Sequence, residues 1–218
     1  MQETCAVEVR CFSMIKITRR KFIKNSILIA SAPYLITCSK ATANQHPNII
    51  LYVTDDQGTH DAGCYGNPIV KTPGLDYLAT KGIRFTHGFS TVSSCSPSRA
   101  TILTGLHCHA NGQYGLHHSF HNFNSLPNVI SLPRLMQQAG YRTIISGKYH
   151  VGPALVYPFD HAVNRYLEPG AKYILPGDAA ELCREFIEKK DNHPFFLYFC
   201  PKEPHYPFFR EKADAIEP

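Results

Sequence analysis

What the 218-residue chain lacks narrows its reading first. It has no apolar run long enough for a comfortable membrane span; the stretch from Ile27 to Cys38 falls short. It has no Cys-X-X-Cys pair. Its eight cysteines, at 5, 11, 38, 64, 95, 108, 183 and 200, are spread along the chain rather than packed as in a small disulfide scaffold. The expectation for most of them is a buried thiol, with at most one disulfide. There is no internal repeat and no low-complexity tract. Tryptophan is absent while Tyr (12) and Phe (13) are plentiful, and nothing functional follows from that. An excess of basic charge is also missing where it would matter. The formal charge is +5, but residues 1–40 hold seven Lys/Arg and two Asp/Glu, so the remaining fifteen of each balance. A nucleic-acid surface on the main body therefore has no support, and no nucleic-acid partner is expected.

The surplus belongs to a leader. Thr18-Arg19-Arg20-Lys21-Phe22 with Lys24, followed by a short apolar stretch, has the layout of an export signal of the twin-arginine type. Residues 1–40 are read as that leader, and residues 41–218 as a catalytic domain. The implied partner is the twin-arginine machinery, and the implied location is the bacterial periplasm or cell surface. Met14 is an alternative start. Leu35-Ile36-Thr37-Cys38 loosely matches a lipoprotein box, which makes Cys38 a candidate lipid anchor.

The body, with 44% hydrophobic and 18% charged residues in the whole chain, suits a globular domain with a sizeable core. Residues 48–54 form a continuous apolar, β-branched run that predicts a buried parallel strand. Thr72-Pro73 predicts a helix with Leu75, Leu78 and Ala79 on its buried face, stopped by Gly82. Ser96-Pro97 predicts a second helix with Pro97 at its first position, ending at Gly105. A third is expected over residues 132–139, then a strand over 142–146. Asp178 and Glu181 suggest a capping box, with Leu182, Cys183, Phe186 and Ile187 facing inward behind it. A last strand is expected over 195–200. Alternating strands and helices imply an α/β fold with a mostly parallel sheet flanked by helices.

Three polar clusters follow three of these strands: Asp55-Asp56-Gln57-Gly58, Gly147-Lys148-Tyr149-His150 and Lys202-Glu203-Pro204-His205. Ligands of open α/β sheets bind beyond the carboxyl ends of the strands, so the clusters can converge. Adjacent carboxylates suit a hard divalent cation such as Ca²⁺, or else turn and cap contacts. Cys95 precedes a helix start whose free N–H groups favour negative charge, and Arg99 sits one turn in, able to hold an anion. Lys148 and His150 face one side only if the strand pleat continues. His205, between two prolines, suits a positioned acid or base. His107, His109, His117, His118 and His121 lie within residues 106–125; a zinc site there is conceivable, and a polar rim touching substrate is the better reading.

With these residues placed, Cys95-Ser96-Pro97-Ser98-Arg99, continued by Ala100 through Gly105, resembles the signature of the type I sulfatases, in which the cysteine is oxidised to formylglycine by a separate enzyme. Further runs resemble the branch of that family that removes N-sulfate from glucosamine in heparan-type glycans: Asn111-Gly112, Tyr114-Gly115-Leu116-His117, Phe123-Asn124-Ser125, His150-Val151-Gly152-Pro153 and Val156-Tyr157-Pro158-Phe159-Asp160. The resemblance covers residues 48–207. It implies an alkaline-phosphatase-like sulfatase fold. It also implies one Ca²⁺ held by Asp55, Asp56 and the formylglycine at 95, and a sulfated glycan as substrate. The hydrated aldehyde would attack sulfur to give a covalent sulfated intermediate. Arg99 and Lys148 would stabilise charge, His150 would take a proton to expel sulfate, and His205 would protonate the leaving group.

Family members continue with a second pair of metal ligands, Asp and Asn, and a further basic residue, and no such motif follows His205. The expectation is an N-terminal part of a longer domain, with a sheet short of strands and an exposed edge. The alternatives are an O-sulfatase on sulfated sugars or aryl sulfates, a non-catalytic remnant, and a phosphatase or phosphonate hydrolase, against which Cys95 argues.

Overall fold

The computed structural model describes residues 46–118, 120–163, 174–189 and 192–206. The leader, including Arg19, Arg20 and Cys38, lies outside them. Four parallel strands form one sheet in the order β1-β4-β2-β3, where β1 is Ile49–Tyr52, β2 is Arg142–Gly147, β3 is His161–Val163 and β4 is Phe195–Cys200. The helices are α1 (Pro73–Lys81), α2 (Cys95–Thr104), α3 (Cys108–Asn111), α4 (Leu132–Gln138) and α5 (Pro176–Glu188). No helix among the described residues is long and apolar enough to cross a membrane.

β4 explains why the sheet is covered on both sides. All six of its residues are buried, and successive side chains alternate between faces. Phe196, Tyr198 and Cys200 join Ile145, Ala100, Leu103 and Tyr157 in one core. Phe195, Leu197 and Phe199 join Ile144, Ala179 and Cys183 in the other. α2 thus packs on one face and α5 on the opposite one.

Several expectations are corrected. β1 is an edge strand, paired on one side only, and its outward residues Ile50 and Tyr52 are 56% and 50% exposed. The run reads as apolar throughout, yet only alternate residues are inward. α1 occupies its predicted span but buries no residue, and Leu78 faces out. Thr72 precedes it without capping it; its hydroxyl donates to Asp76 Oδ1 and accepts from the Gly63 N–H instead. α5 starts at Pro176, so Asp178 lies within its first turn and no capping box forms. Ala179 and Cys183 are buried and Phe186 partly so, whereas Leu182 and Ile187 are exposed. β3 was not expected; three residues led by a histidine carry no strand pattern. Cys64, Cys95, Cys108, Cys183 and Cys200 are all free thiols.

α2 begins earlier than expected. Ser94 is its N-cap and Cys95 its first residue, with the Ser98 N–H donating to the Ser94 carbonyl at 2.9 Å. Pro97 is therefore third in the helix, the last position where no N–H is needed for an intrahelical bond. Gly105 closes the helix with φ 67°, its N–H bonded to Thr101 O.

Candidate active site

The clusters that follow β1, β4 and β2 lie side by side, because those three strands are neighbours. Backbone hydrogen bonds extend the ladder past the strand ends: Val53 N–H to Phe199 O (2.9 Å), Asp55 N–H to Glu203 O (3.2 Å) and Lys148 N–H to Cys200 O (2.7 Å). The turn after β2 needs Gly147. Its φ is 95°, and a Cβ there would lie 2.0 Å from the Cys200 carbonyl oxygen.

Asp55 is the centre of the cluster. It is buried, and both of its oxygens meet protein cations. Arg99 Nη2 donates to Oδ1 at 3.2 Å, and Lys148 Nζ donates to Oδ2. Burial pushes the Asp55 carboxyl up, but the hydrogen bond and charge of Lys148 and the charge of Arg99 outweigh it. The net effect holds the group below its ordinary value. Arg99, four residues after Cys95 and so on the same helical face, also donates to the Lys148 carbonyl (3.1 Å) and the Tyr198 hydroxyl (3.5 Å). Lys202 is buried nearby; burial and the charge of Lys148 lower its pKa. Arg99, Lys148 and Lys202 thus face one buried carboxylate, a positive surplus suited to an anion.

Asp56 does not share this cluster. Its backbone is left-handed (φ 64°), its side chain is largely exposed, and Oδ2 lies 3.7 Å from His205 Nε2. The adjacent carboxylates diverge, Asp55 toward Arg99 and Lys148 and Asp56 toward His205. Asp55, Asp56, Gln57, Cys95 and Arg99 nevertheless line one cavity of about 330 Å³, together with Ser90, Ser93, Ser94 and Ser98. Asp55, Cys95 and His205 offer ligand atoms all within 4.8 Å of one another. The carboxylates and the Gln57 amide oxygen fit a hard cation by donor type, and they account for part of its usual six to eight oxygens.

Lys148 and His150 do not share a face through a continued pleat, since β2 ends at Gly147 and His150 itself has φ 54°. Both are buried all the same. His150 stacks on His118 with ring centroids 5.3 Å apart and 25° between planes. Burial, then the charges of Lys148, His118 and Arg99, push the His150 imidazole down to about 3, so it is neutral at ordinary pH. Neither ring nitrogen has a hydrogen-bond partner among the described residues. His150 does not line the cavity beside Cys95.

The other histidines assemble no metal cluster among the described residues. His107 and His109 stack on each other. The segment carrying His117 instead docks onto α2: the His117 N–H donates to Ser96 Oγ at 2.9 Å, and buried Gln113 bonds the Gly115 and Phe123 carbonyls. Tyr198 was not singled out from the sequence, and Lys202 and Ser96 were named only within their clusters, without roles of their own. Tyr198 looks like an ordinary core residue of a buried strand, and only its register opposite Ile145 and its hydroxyl beside Arg99 mark it.

A family model described as Sulfatase matches residues 47–215. The chain belongs to the sulfatase family. It is 48% identical over 162 residues to the human N-sulphoglucosamine sulphohydrolase, covering 72% of this chain and 32% of that protein. It is 36% identical over 167 residues to the ulvan-active sulfatase of Formosa agariphila, covering 76% and 32%. Among solved structures it is similar to a protein in complex with its substrate D-glucosamine-2-N,6-O-disulfate, with TM-score 0.61, 28% identity, and 79% and 38% of the two chains covered. The chain thus spans about a third of the length of these relatives. The parallel sheet flanked by helices is the expected sulfatase architecture.

Proposed function

We propose that this chain is the part of a sulfatase that carries its nucleophile-bearing and sulfate-holding residues, and that the protein hydrolyses N-sulfate groups of glucosamine in heparan-type glycans. The observation that carries the chemistry is the Asp55–Arg99–Lys148 cluster beside Cys95 at the first turn of α2. Support for the N-sulfate comes from the 48% identity to a sulfohydrolase of N-sulfoglucosamine and from a structural relative holding an N-sulfated glucosamine.

Sulfatases generally use a formylglycine and a metal. When present, these would supply a hydrated aldehyde as nucleophile at position 95 and a Ca²⁺ ion that polarises the sulfate, the ion held by Asp55, Asp56 and residue 95. Arg99 and Lys148 bind the sulfate oxygens and hold Asp55 in place. His150, neutral at working pH with both ring nitrogens unpartnered among the described residues, would serve as the proton acceptor for the side chain at 95. His205 would protonate the departing amine nitrogen. Residues 112–125, with His117, His118 and His121, form the rim that meets the sugar. A formylglycine-generating enzyme and a sulfated glycan are the partners this reading requires. The leader reads as a twin-arginine export signal, which places the protein in the periplasm or at the cell surface.

The deciding experiment is sulfate release by the full-length gene product from N-sulfated and O-sulfated glucosamine disaccharides, with mass spectrometry of the peptide holding residue 95. N-desulfation and formylglycine are expected. O-desulfation alone would establish the second reading, which the ulvan-active relative and the 6-O-sulfate of the structural relative's substrate favour. An unmodified cysteine with no sulfate release would establish a non-catalytic chain.

A further inference from the structure

We propose that His118 is a positioning residue for the reaction: its ring lies against His150 and fixes the plane of the imidazole that takes the proton. The proposal rests on the sulfatase reading of His150 and adds the device that holds it. His150 needs one. Its backbone is left-handed (φ 54°), a conformation that a residue with a side chain keeps only where its surroundings enforce it. Its ring is buried, yet neither nitrogen has a hydrogen-bond partner among the described residues, so no such bond sets the rotation of the ring. The stack on His118 does, at 5.3 Å between centroids and 25° between planes. A stack meets the face of a ring, whereas both nitrogens lie on its edge. It fixes orientation and leaves each nitrogen available to take or release a proton, while a hydrogen bond would occupy one of them and set the tautomer.

His118 is itself exposed, so its ring reaches His150 only because the loop that carries it is braced. His121 packs edge-on against it, with centroids 5.5 Å apart and 88° between planes, and the His121 N–H donates to the His118 carbonyl at 3.1 Å. Buried Gln113 closes the loop from inside: its Nε2 donates to the Gly115 and Phe123 carbonyls at 2.7 and 2.8 Å. Gln113 Oε1 accepts from the Ser125 hydroxyl, which also bonds the buried Tyr157 hydroxyl. The Ser125 N–H donates to the Gly152 carbonyl at 2.7 Å. The loop is thus fastened to the segment over residues 150–157 that carries His150 itself.

Gly152 is the joint between the two. A Cβ at that position would fall 2.2 Å from His117 Cε1 and 2.5 Å from Asn124 Oδ1, so only a glycine lets the loop close to this distance. Proton transfer is sensitive to such placement, because a donor and acceptor about 1 Å out of line can lose on the order of 100-fold in rate.

The test follows sulfate release by the full-length protein together with the ring-proton resonances of His150 under selective ¹³C-histidine labelling. In His118→Ala, kcat is expected to fall roughly 10- to 100-fold with KM changed by less than about 3-fold. His118→Phe keeps a ring over His150 and is expected to restore most of kcat. The His150 ring protons should resonate upfield in wild type and in His118→Phe and lose that shift in His118→Ala. Gly152→Ala should behave as His118→Ala in both measurements. Because His118 is exposed, its replacement leaves the core intact. An unchanged kcat in His118→Ala, a loss confined to KM, or a Phe variant no better than the Ala variant overturns the proposal. A wild type that turns over without the upfield shift overturns it alone. A wild type that shows the shift but releases no sulfate overturns the hydrolytic reading and the positioning role with it.

Discussion

The Lys148 ammonium and the Asp55 carboxylate form a buried ion pair between the ends of two strands that do not touch: β2 precedes the lysine, β1 precedes the aspartate, and β4 lies between them. Removing one partner of such a pair strands the other charge. Lys148→Met is expected to destabilise the fold by ~3–5 kcal/mol, read as a shift of the denaturant midpoint at constant slope. A change within ~1 kcal/mol would mean that Arg99 alone satisfies Asp55.

The depressed Asp55 carboxyl has a defined pH signature. A group whose folded pKa lies below its unfolded value of ~3.9 adds stability above that value and loses it as pH falls through the folded pKa. Wild type is therefore expected to lose stability below about pH 4 more steeply than Asp55→Asn, measured by denaturant titration across the acid range.

His150 acts in a higher window. Its imidazole is pushed down to about 3 from 6.5, so between those values the unfolded chain binds a proton that the folded chain refuses. Stability falls as pH drops through that range, with a slope approaching ~1.4 kcal/mol per pH unit. His150→Gln should remove that slope while abolishing sulfate release. An unchanged slope would show that the imidazole accepts a proton in the fold.

Arg99→Lys keeps the charge and loses the fork. Arg99 reaches Asp55, the Lys148 carbonyl and Tyr198 from two guanidinium nitrogens, and an ammonium cannot span that set. Sulfate release by the full-length protein is expected to fall on the order of 100-fold or more, with far-ultraviolet circular dichroism preserved. Near-wild-type turnover would reduce Arg99 to a point charge.

Gly147→Ala places a Cβ against the Cys200 carbonyl and requires a left-handed alanine. The expected loss exceeds the ~1–3 kcal/mol of backbone strain alone, since the Lys148 N–H to Cys200 O bond must also open. A variant as stable as wild type, by thermal melting, would show that the turn can relax.

Much of this was legible in the sequence because the relevant signals are local. Runs of β-branched and aromatic residues marked β1, β2 and β4, and proline and glycine bracketed α1, α2 and α4. Cys95, Arg99 and Asp55 were found because a helix start and a strand end are local features too. What escaped depends on neighbours distant in the chain. That β1 is an edge strand follows from its pairing with β4, some 147 residues away, so the sequence of β1 could not reveal that Ile50 and Tyr52 face outward. That Asp55 is held by protein cations, while Asp56 turns to His205, depends on a left-handed residue and a three-strand convergence. Local pattern left a metal-binding pair and a pair making turn and cap contacts both open. Lys202 was placed in a post-strand polar cluster, but nothing in its own segment distinguishes a buried lysine from a solvated one.

The backbone bonds that carry the ladder past Tyr52, Gly147 and Cys200 have an evolutionary consequence. Asp55 and Lys148 are anchored as sheet, and their amides should resist hydrogen exchange as core amides do, whereas the segment carrying His117 is a loop that docks on α2 through the Ser96 hydroxyl and is braced by Gln113 and by turn bonds such as Phe123 N–H to Leu116 O. The charge cluster and the histidine-bearing loop are therefore mounted on different mechanical supports. Substitutions in that loop can accumulate while the charge cluster stays where the sheet puts it.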